Sequence, residues 1–330
     1  MAASLLRAAA LASAGAALAL ASASAPAPAA APKGLYGLSA ATGLIRIADN
    51  GTTTPVGPSL GAKYAQAQGL STIDVPGQLF YSILYDLSTS KPMLVGLSLA
   101  TGAVVSAVAV PFAEEGFIGV GQWLAFEGAL IIVGGQNAAQ AHQVGTIDPV
   151  KGGYKQIALL NASLLDVLGG CHAAYVKSSN EVLIQLGTQG PPAAINVYAI
   201  DVTSGAVRVS DMTETANIVT LSYDATTDVV VGLGIQVAGG KLQRTISSLD
   251  PKTLKVTTIG KTSAEVIESG GISAYNTDSK GLYWIGDKTG NDDFFLVQNS
   301  VEPGAKVLST GDLCASDAAC PWSLEYNGGA

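Results

Sequence analysis

Ile272-Ser273-Ala274-Tyr275-Asn276, followed after a short polar step by Leu282-Tyr283-Trp284-Ile285, decides the fold. Two apolar runs of strand length flank a turn, and the first ends in an aromatic and a turn-forming residue. The same phrase recurs along the chain. It appears as Leu70-Ser71-Thr72-Ile73-Asp74 with Leu79-Phe80-Tyr81-Ser82-Ile83, and as Leu124-Ala125-Phe126-Glu127 with Leu130-Ile131-Ile132-Val133. Two more copies are His172-Ala173-Ala174-Tyr175 with Val182-Leu183-Ile184, and Leu221-Ser222-Tyr223-Asp224 with Val229-Val230-Val231.

Each phrase is followed by a third run that ends in Ser, Asp or Asn, a Pro/Thr/Gly turn, and a fourth run. Ile200-Asp201-Val202-Thr203-Ser204-Gly205 and Leu249-Asp250-Pro251-Lys252-Thr253 are examples. These side chains cap turns, and Gly supplies positive φ. The anchors Ser39, Ser98, Asp148, Asp201, Asp250 and Asn299 lie 59, 50, 53, 49 and 49 residues apart. A unit of about 50 residues holding four short strands, with almost no helical periodicity after residue 33, is the signature of a β-propeller blade.

Five complete units fill residues 70–310. Gly34–Gly57 carries only the second half of a unit, and Trp322-Ser323-Leu324-Glu325-Tyr326-Asn327 only its first strand. Joined, they make a sixth blade that hides both edge strands. The second strand of that blade is not evident and is expected to be short. The expected fold is therefore all-β, a six-bladed β-propeller of four-stranded blades, one domain over residues 34–330, closed by both termini. It resembles six-bladed propeller families at large: the calcium-dependent SMP-30/gluconolactonase group, NHL-repeat proteins and the YWTD repeats of lipoprotein receptors. Leu282-Tyr283-Trp284-Ile285-Gly286-Asp287 is similar to one YWTD strand.

Apolar residues are 48% of the 330-residue chain, which strands packed on both faces explain without a membrane. The net charge of −8 argues against nucleic acid and anionic membranes as main partners. Arg7 precedes an Ala/Leu-rich run to Ala21, and Ala21-Ser22-Ala23 fits a signal-peptidase site. Residues 1–23 are thus expected to be a secretory signal, and 24–33 an extended Ala/Pro spacer with little order. A secreted chain, extracellular or periplasmic and monomeric, follows. Asn50-Gly51-Thr52 and Asn161-Ala162-Ser163 are glycosylation sequons in that setting. Cys314 and Cys320, six residues apart, are expected to form a disulfide that pins the last strand, with pairing to Cys171 left open.

In the families named, ligands meet the face built by the inter-blade loops and the loops joining strands two and three. Here those loops carry Glu114, Glu115, Asp166, Cys171, His172, Asp211, Glu214, Glu265 and Glu268, with Asp86, His142, Asp287, Asp292 and Asp293. Carboxylates converging on a channel suit Ca²⁺, which takes six to eight oxygens, as they also suit plain solvation. His172 reads as a base facing the channel or as a packing residue. His142 is expected to be exposed in a polar loop, and Cys171 to be a buried inert thiol. The recurring Asp74, Glu127, Asp224, Asn276 and Asn327 read as structural turn residues. Trp123 and Trp322 are expected to begin innermost strands. Glu325 breaks the apolar or small pattern of an innermost strand, where a carboxylate is costly unless paired or metal-bound. It is the strongest candidate channel ligand. Two functions follow: a non-catalytic recognition module for protein or glycan, or a Ca²⁺-dependent hydrolase or lactonase. The resemblance to the SMP-30 group implies for the latter a central metal held by Glu, Asn and Asp, with Glu325 and Asp166 as its carboxylates and no inner-strand counterpart to the Asn ligands.

Overall fold

The computed structural model describes residues 30–39, 41–110, 117–124, 129–136, 142–160, 173–188, 194–210, 212, 217–238, 241–262, 272–287, 294–314 and 320–328. They form 24 strands in six antiparallel four-stranded sheets. Five blades are consecutive in sequence. The first holds β4 (Tyr64–Asp74), β5 (Leu79–Asp86), β6 (Lys91–Ser98) and β7 (Val104–Ala109). The second holds β8 (Phe117–Leu124), β9 (Ala129–Gln136), β10 (His142–Ile147) and β11 (Tyr154–Leu160). The third holds β12 (Ala173–Val176), β13 (Glu181–Thr188), β14 (Ala194–Asp201) and β15 (Val207–Val209). The fourth holds β16 (Ser222–Asp224), β17 (Val229–Ala238), β18 (Lys241–Leu249) and β19 (Val256–Lys261). The fifth holds β20 (Ser273–Asn276), β21 (Gly281–Asp287), β22 (Phe294–Ser300) and β23 (Val307–Cys314).

The closing blade takes its innermost strand, β24 (Pro321–Asn327), from the C-terminus, and β1 (Gly34–Ser39), β2 (Gly43–Ile47) and β3 (Thr53–Pro55) from the N-terminus. The chain is a six-bladed β-propeller closed by both ends. The composition of that blade differs from expectation: Gly34–Ser39 is its second strand, not its third. It pairs β24 through Leu35↔Tyr326 and Tyr36↔Glu325. The missing second strand is thus present, and the N-terminal segment supplies three strands. Ser39, Thr42 and Gly43 belong to the hairpin between strands two and three. The true counterpart of the anchor turn is Ala48–Thr52, whose Ala48 amide donates to Thr52 O as Ser98 does to Ala103 O. Ala48 stands 50 residues before Ser98, so the irregular first spacing disappears.

The anchor acids behave as the turn chemistry demands. Asp148 Oδ1 accepts from the amides of Val150 and Lys151, Asp201 Oδ1 from Thr203 and Ser204, and Asp250 Oδ1 from Lys252. The hairpins between strands one and two close on Gln78, Asn180, Asp228 and Lys280, all at positive φ. Burial lies between blades: Trp284, Tyr36, Tyr81, Tyr283 and Phe80 are the largest fully buried side chains. Six innermost strands stand in a closed circle, β4, β8, β12, β16, β20, β24 and back to β4. Ala31, expected in the spacer, is instead buried in one cluster with Tyr64 and Phe80, and its amide donates to Gln78 Oε1. Its small side chain fits the seam that ring closure creates beside the first blade.

The innermost strand of the second blade is Phe117–Leu124, earlier than the expected Leu124–Glu127. Trp123 is therefore near the end of β8 rather than at its start, because an unbroken apolar run fixes no register. Trp322 does lie at the start of β24.

Candidate functional site

A cavity of about 180 Å³ opens at the channel. Among the described residues it is lined by innermost strands and the turns that leave them: Thr72 and Val75 from the first blade, Ser222 and Tyr223 from the fourth, Tyr275 and Thr277 from the fifth, Glu325 and Tyr326 from the closing blade. Its walls lie toward the turns joining strands one and two. The strand ends that lead into the acidic loops picked out in the sequence are the opposite ones.

Glu325 is the side chain of this cavity that departs from the repeat. It sits two residues before the turn anchor Asn327, and the equivalent positions in the first, third, fourth and fifth blades are Thr72, Ala174, Ser222 and Ala274. Small side chains at those points keep the channel open, and the closing blade alone among them fills its place with a carboxyl. Ser71 Oγ, on β4, donates to Glu325 Oε1 at 2.9 Å. Burial pushes the carboxyl up to about 8, and the Ser71 hydrogen bond only partly offsets it. At neutral pH the group is mostly protonated.

Three tyrosines on the cavity wall are held by acids of the neighbouring turns. Tyr223 Oη donates to Asp228 Oδ1 at 2.8 Å, Tyr275 Oη to Asp224 Oδ2 at 2.9 Å, and Tyr326 Oη to Asp278 Oδ2 at 3.0 Å. Burial pushes Asp224 up, but hydrogen bonds from the Thr226 hydroxyl and amide and from Tyr275 outweigh it, so the net shift is downward. Burial, then the bond to Asp278, pushes Tyr326 up to about 12. These phenols stay neutral donors at physiological pH. The sequence repeat contains these tyrosines, always one residue before the turn anchor, but their convergence on one cavity depends on ring closure.

The remaining sequence candidates divide as follows. Asp166, His172, Cys171 and Asn161 lie outside the described residues, as do Glu114, Glu115, Glu127, Asp211, Glu214, Glu265, Glu268, Asp292 and Asp293. His142 opens β10, paired with Leu160 and Gln136, rather than standing in a loop. Asp287 is likewise part of a strand, the last residue of β21. Asp86 caps its own hairpin, accepting from the Ser88 hydroxyl and amide, which hold it below the usual carboxylate range. Asp74 is buried and pushed up by that burial. Asn50 is exposed in the β2–β3 turn, where its Oδ1 accepts the Thr52 amide at 3.0 Å. Cys314 and Cys320 are disulfide-bonded, with Cα atoms 5.4 Å apart.

The described residues alone do not make a calcium site, and Asp166 lies outside them. Among the described residues no three His, Cys, Asp or Glu side chains stand close enough to hold a metal ion. Among the described residues Glu325 offers one carboxyl with a single hydroxyl partner, where calcium asks for several anionic or carbonyl oxygens.

No family model and no curated protein matches the chain. Solved structures do. TolB from Acinetobacter baumannii superposes with a TM-score of 0.58 at 12% identity, covering 88% of this chain and 65% of that one. This chain thus spans just under two thirds of TolB's length. A chain of a nidogen/laminin complex superposes with a TM-score of 0.58 at 10% identity, covering 90% of this chain and 98% of that one. At these identities the likeness is one of fold. Function has to come from the site.

Proposed function

We propose that the chain is a secreted recognition module, monomeric and non-catalytic, that binds a protein or carbohydrate ligand on one propeller face. The binding point is the channel cavity bordered by Tyr223, Tyr275 and Tyr326. The observation that carries this reading is the lining itself: three aromatic side chains, hydroxyls and one carboxyl around about 180 Å³. Aromatic walls with a few polar groups are the usual lining of a binding pocket. Among the described residues the cavity contains no second carboxyl, cysteine or histidine to share chemistry with Glu325. Secretion is supported by the disulfide and the N-terminal signal pattern, and no helix among the described residues is long and apolar enough to cross a membrane. In one matched structure, that of the nidogen/laminin complex, the propeller-like chain belongs to a protein assembly. The exposed Asn50 sequon is a glycosylation site under this reading, and Asn161 a second.

The test is binding of the purified chain to arrayed glycans and to a panel of extracellular proteins, beside a Thr277→Trp variant. Thr277 is exposed at the cavity mouth, so the indole would block entry without disturbing the core. Binding by the parent chain that the variant loses is the expected result. Binding equal in both moves the site off this cavity. Hydrolysis of lactones or esters that Glu325→Gln abolishes would replace recognition by the catalytic alternative.

A further inference from the structure

Among the described residues, Glu325 lies in the channel with no cation to meet it. The strands packed against β24 are β1, β4 and β20. Their ionisable side chains are Tyr36, Tyr64, Asp74 and Tyr275, with Tyr326 on β24 itself; across the cavity β16 adds Tyr223 and Asp224. None of these five strands contains Lys, Arg or His. Among the described residues, Ser71 is the sole hydrogen-bond donor to the carboxyl. A half-buried carboxyl with no cation beside it is a cost to the fold. The cavity beside it has room for several waters or one small organic head group.

We propose that this pocket binds an ammonium head group, a primary or methylated amine, which pairs with Glu325 while the rings of Tyr223, Tyr275 and Tyr326 receive its carbon-bearing faces. The inference deepens the recognition reading by naming the ligand chemistry of the same cavity, and rests on it for the site. The tyrosine rings suit the task because each hydroxyl is donated to a carboxylate, Asp228, Asp224 or Asp278, leaving the ring face electron-rich toward a cation. Of these carboxylates Asp228 and Asp278 are each paired with a lysine, Lys252 at 3.3 Å and Lys33 at 3.6 Å, while Asp224 has no ion pair among the described residues and leaves a negative charge at this end of the channel. An arriving cation favours the ionised carboxyl, which the burial holds protonated at neutral pH. The Glu325 O–H bond breaks on binding, its proton passes to solvent, and the ion pair takes its place.

The experiment is calorimetric titration of the purified chain with tetramethylammonium, n-butylammonium and Nα-acetyl-lysine amide, with 1-butanol as the neutral control. Expected are binding of the ammonium probes but not of butanol, and affinity at least tenfold tighter at pH 8.5 than at pH 6. Near pH 7 the heat should differ between two buffers by the release of most of one proton. Glu325→Gln should weaken ammonium binding at least tenfold. Should that variant fail to fold, the proton release of the parent chain decides alone. Butanol binding as well as butylammonium, unchanged affinity in Glu325→Gln, or no proton release each overturns the inference. Stronger binding of the lysine amide than of butylammonium assigns the head group to a polypeptide, and the reverse to a free amine. Ammonium binding without any protein or glycan ligand removes only the recognition reading. A protein or glycan ligand that Thr277→Trp blocks, with no ammonium binding, removes only this inference.

Discussion

Ser71 Oγ and Glu325 Oε1 are 2.9 Å apart, although 254 residues separate them in the chain. The bond joins the innermost strand of the first complete blade to the C-terminal strand that closes the ring. It forms only when the ends of the chain have met. The same closure brings Asn327 opposite Gly34, and lets Asn327 Nδ2 donate to Pro32 O. Of the equivalent channel positions Thr72, Ala174, Ser222, Ala274 and Glu325, the one that carries an ionisable group is therefore on the strand that ring closure fixes.

That placement sets a pH dependence. The folded Glu325 titrates near 8, while an unfolded glutamate titrates near its ordinary value of 4.5. Between those values the native chain holds more protons than the unfolded one, so this group makes stability fall as pH rises from about 4.5 to 8, and then level off. The effect is at most a few kcal/mol, since partial solvation of the side chain discounts it. Glu325→Gln, an uncharged isostere, should remove the slope. Thermal melts at pH 5 and pH 8.5 should show the variant close to the parent at the lower pH and several degrees more stable at the higher one. Equal melting points at pH 8.5 would show the carboxyl to be well solvated in the folded chain.

A charge pair within the third blade is built differently, and its arginine also reaches the fourth blade. Arg208 Nε and Nη2 donate to Glu181 Oε1 at 3.0 and 2.8 Å, and Nη2 also to Oε2 at 2.7 Å. The guanidinium further donates to Lys252 O at 2.8 Å and Pro251 O at 3.0 Å, in the β18–β19 turn of the next blade. Glu181 is nearly buried, so Arg208→Ala strands a carboxylate and two turn carbonyls. A loss of about 2 to 3 kcal/mol is expected, read as a lower urea midpoint with an unchanged slope. Arg208→Lys should recover little, because an ammonium cannot make the paired contact and reach both carbonyls.

Much of this architecture is legible in the repeated strands and their turn residues, and the misreadings have a physical origin. Ser39-Ala40-Ala41-Thr42-Gly43 has the same turn chemistry as Ser98-Leu99-Ala100-Thr101-Gly102, and both Gly43 and Gly102 have positive φ. A local turn signal states that the chain reverses, not which pair of strands it joins. Only spacing distinguishes them, and Ala48 gives the regular interval that Ser39 does not. In the second blade the apolar run through Trp123 and Leu124 gave no period to fix the strand. Glu325 was legible because it breaks a repeat. The tyrosine walls were not, because each tyrosine reads singly as core packing, and their shared cavity is a property of the closed ring.

Trp284 and Asn299 make a further testable pair, within the fifth blade. Both are fully buried; Trp284 Nε1 donates to Asn299 Oδ1 at 2.8 Å, and Asn299 Nδ2 donates to Ala305 O at 2.8 Å. Asn299→Ala leaves an indole N–H and a carbonyl without partners in the core, at a cost of about 3 kcal/mol. Trp284→Phe leaves the asparagine oxygen unpaired and opens a void, at a similar cost. The double variant should lose less than the two single losses added together, because each first change has already broken the shared bond. Full additivity in urea unfolding would mean that the two side chains act independently.

Ring closure gives the last prediction. Cys314 ends β23 on the outer edge of the fifth blade, and Cys320 immediately precedes β24. The bridge fixes the start of the closing strand to a blade that is already complete. Its loop is short, so the constraint on the unfolded chain is worth about 2 kcal/mol. Cys314→Ser with Cys320→Ser should lower the melting point by a few degrees and expose the edge of β1 to local opening. Hydrogen exchange distinguishes this from general destabilisation: amides of Leu35 and Gly37, paired with β24, should lose protection before those of Val182 or Val230 in the third and fourth blades. The same variant should loosen Glu325 from Ser71, bringing the carboxyl back toward the ordinary glutamate value. Uniform loss of protection around the ring would show that the disulfide stabilises the propeller as a whole rather than its closing strand.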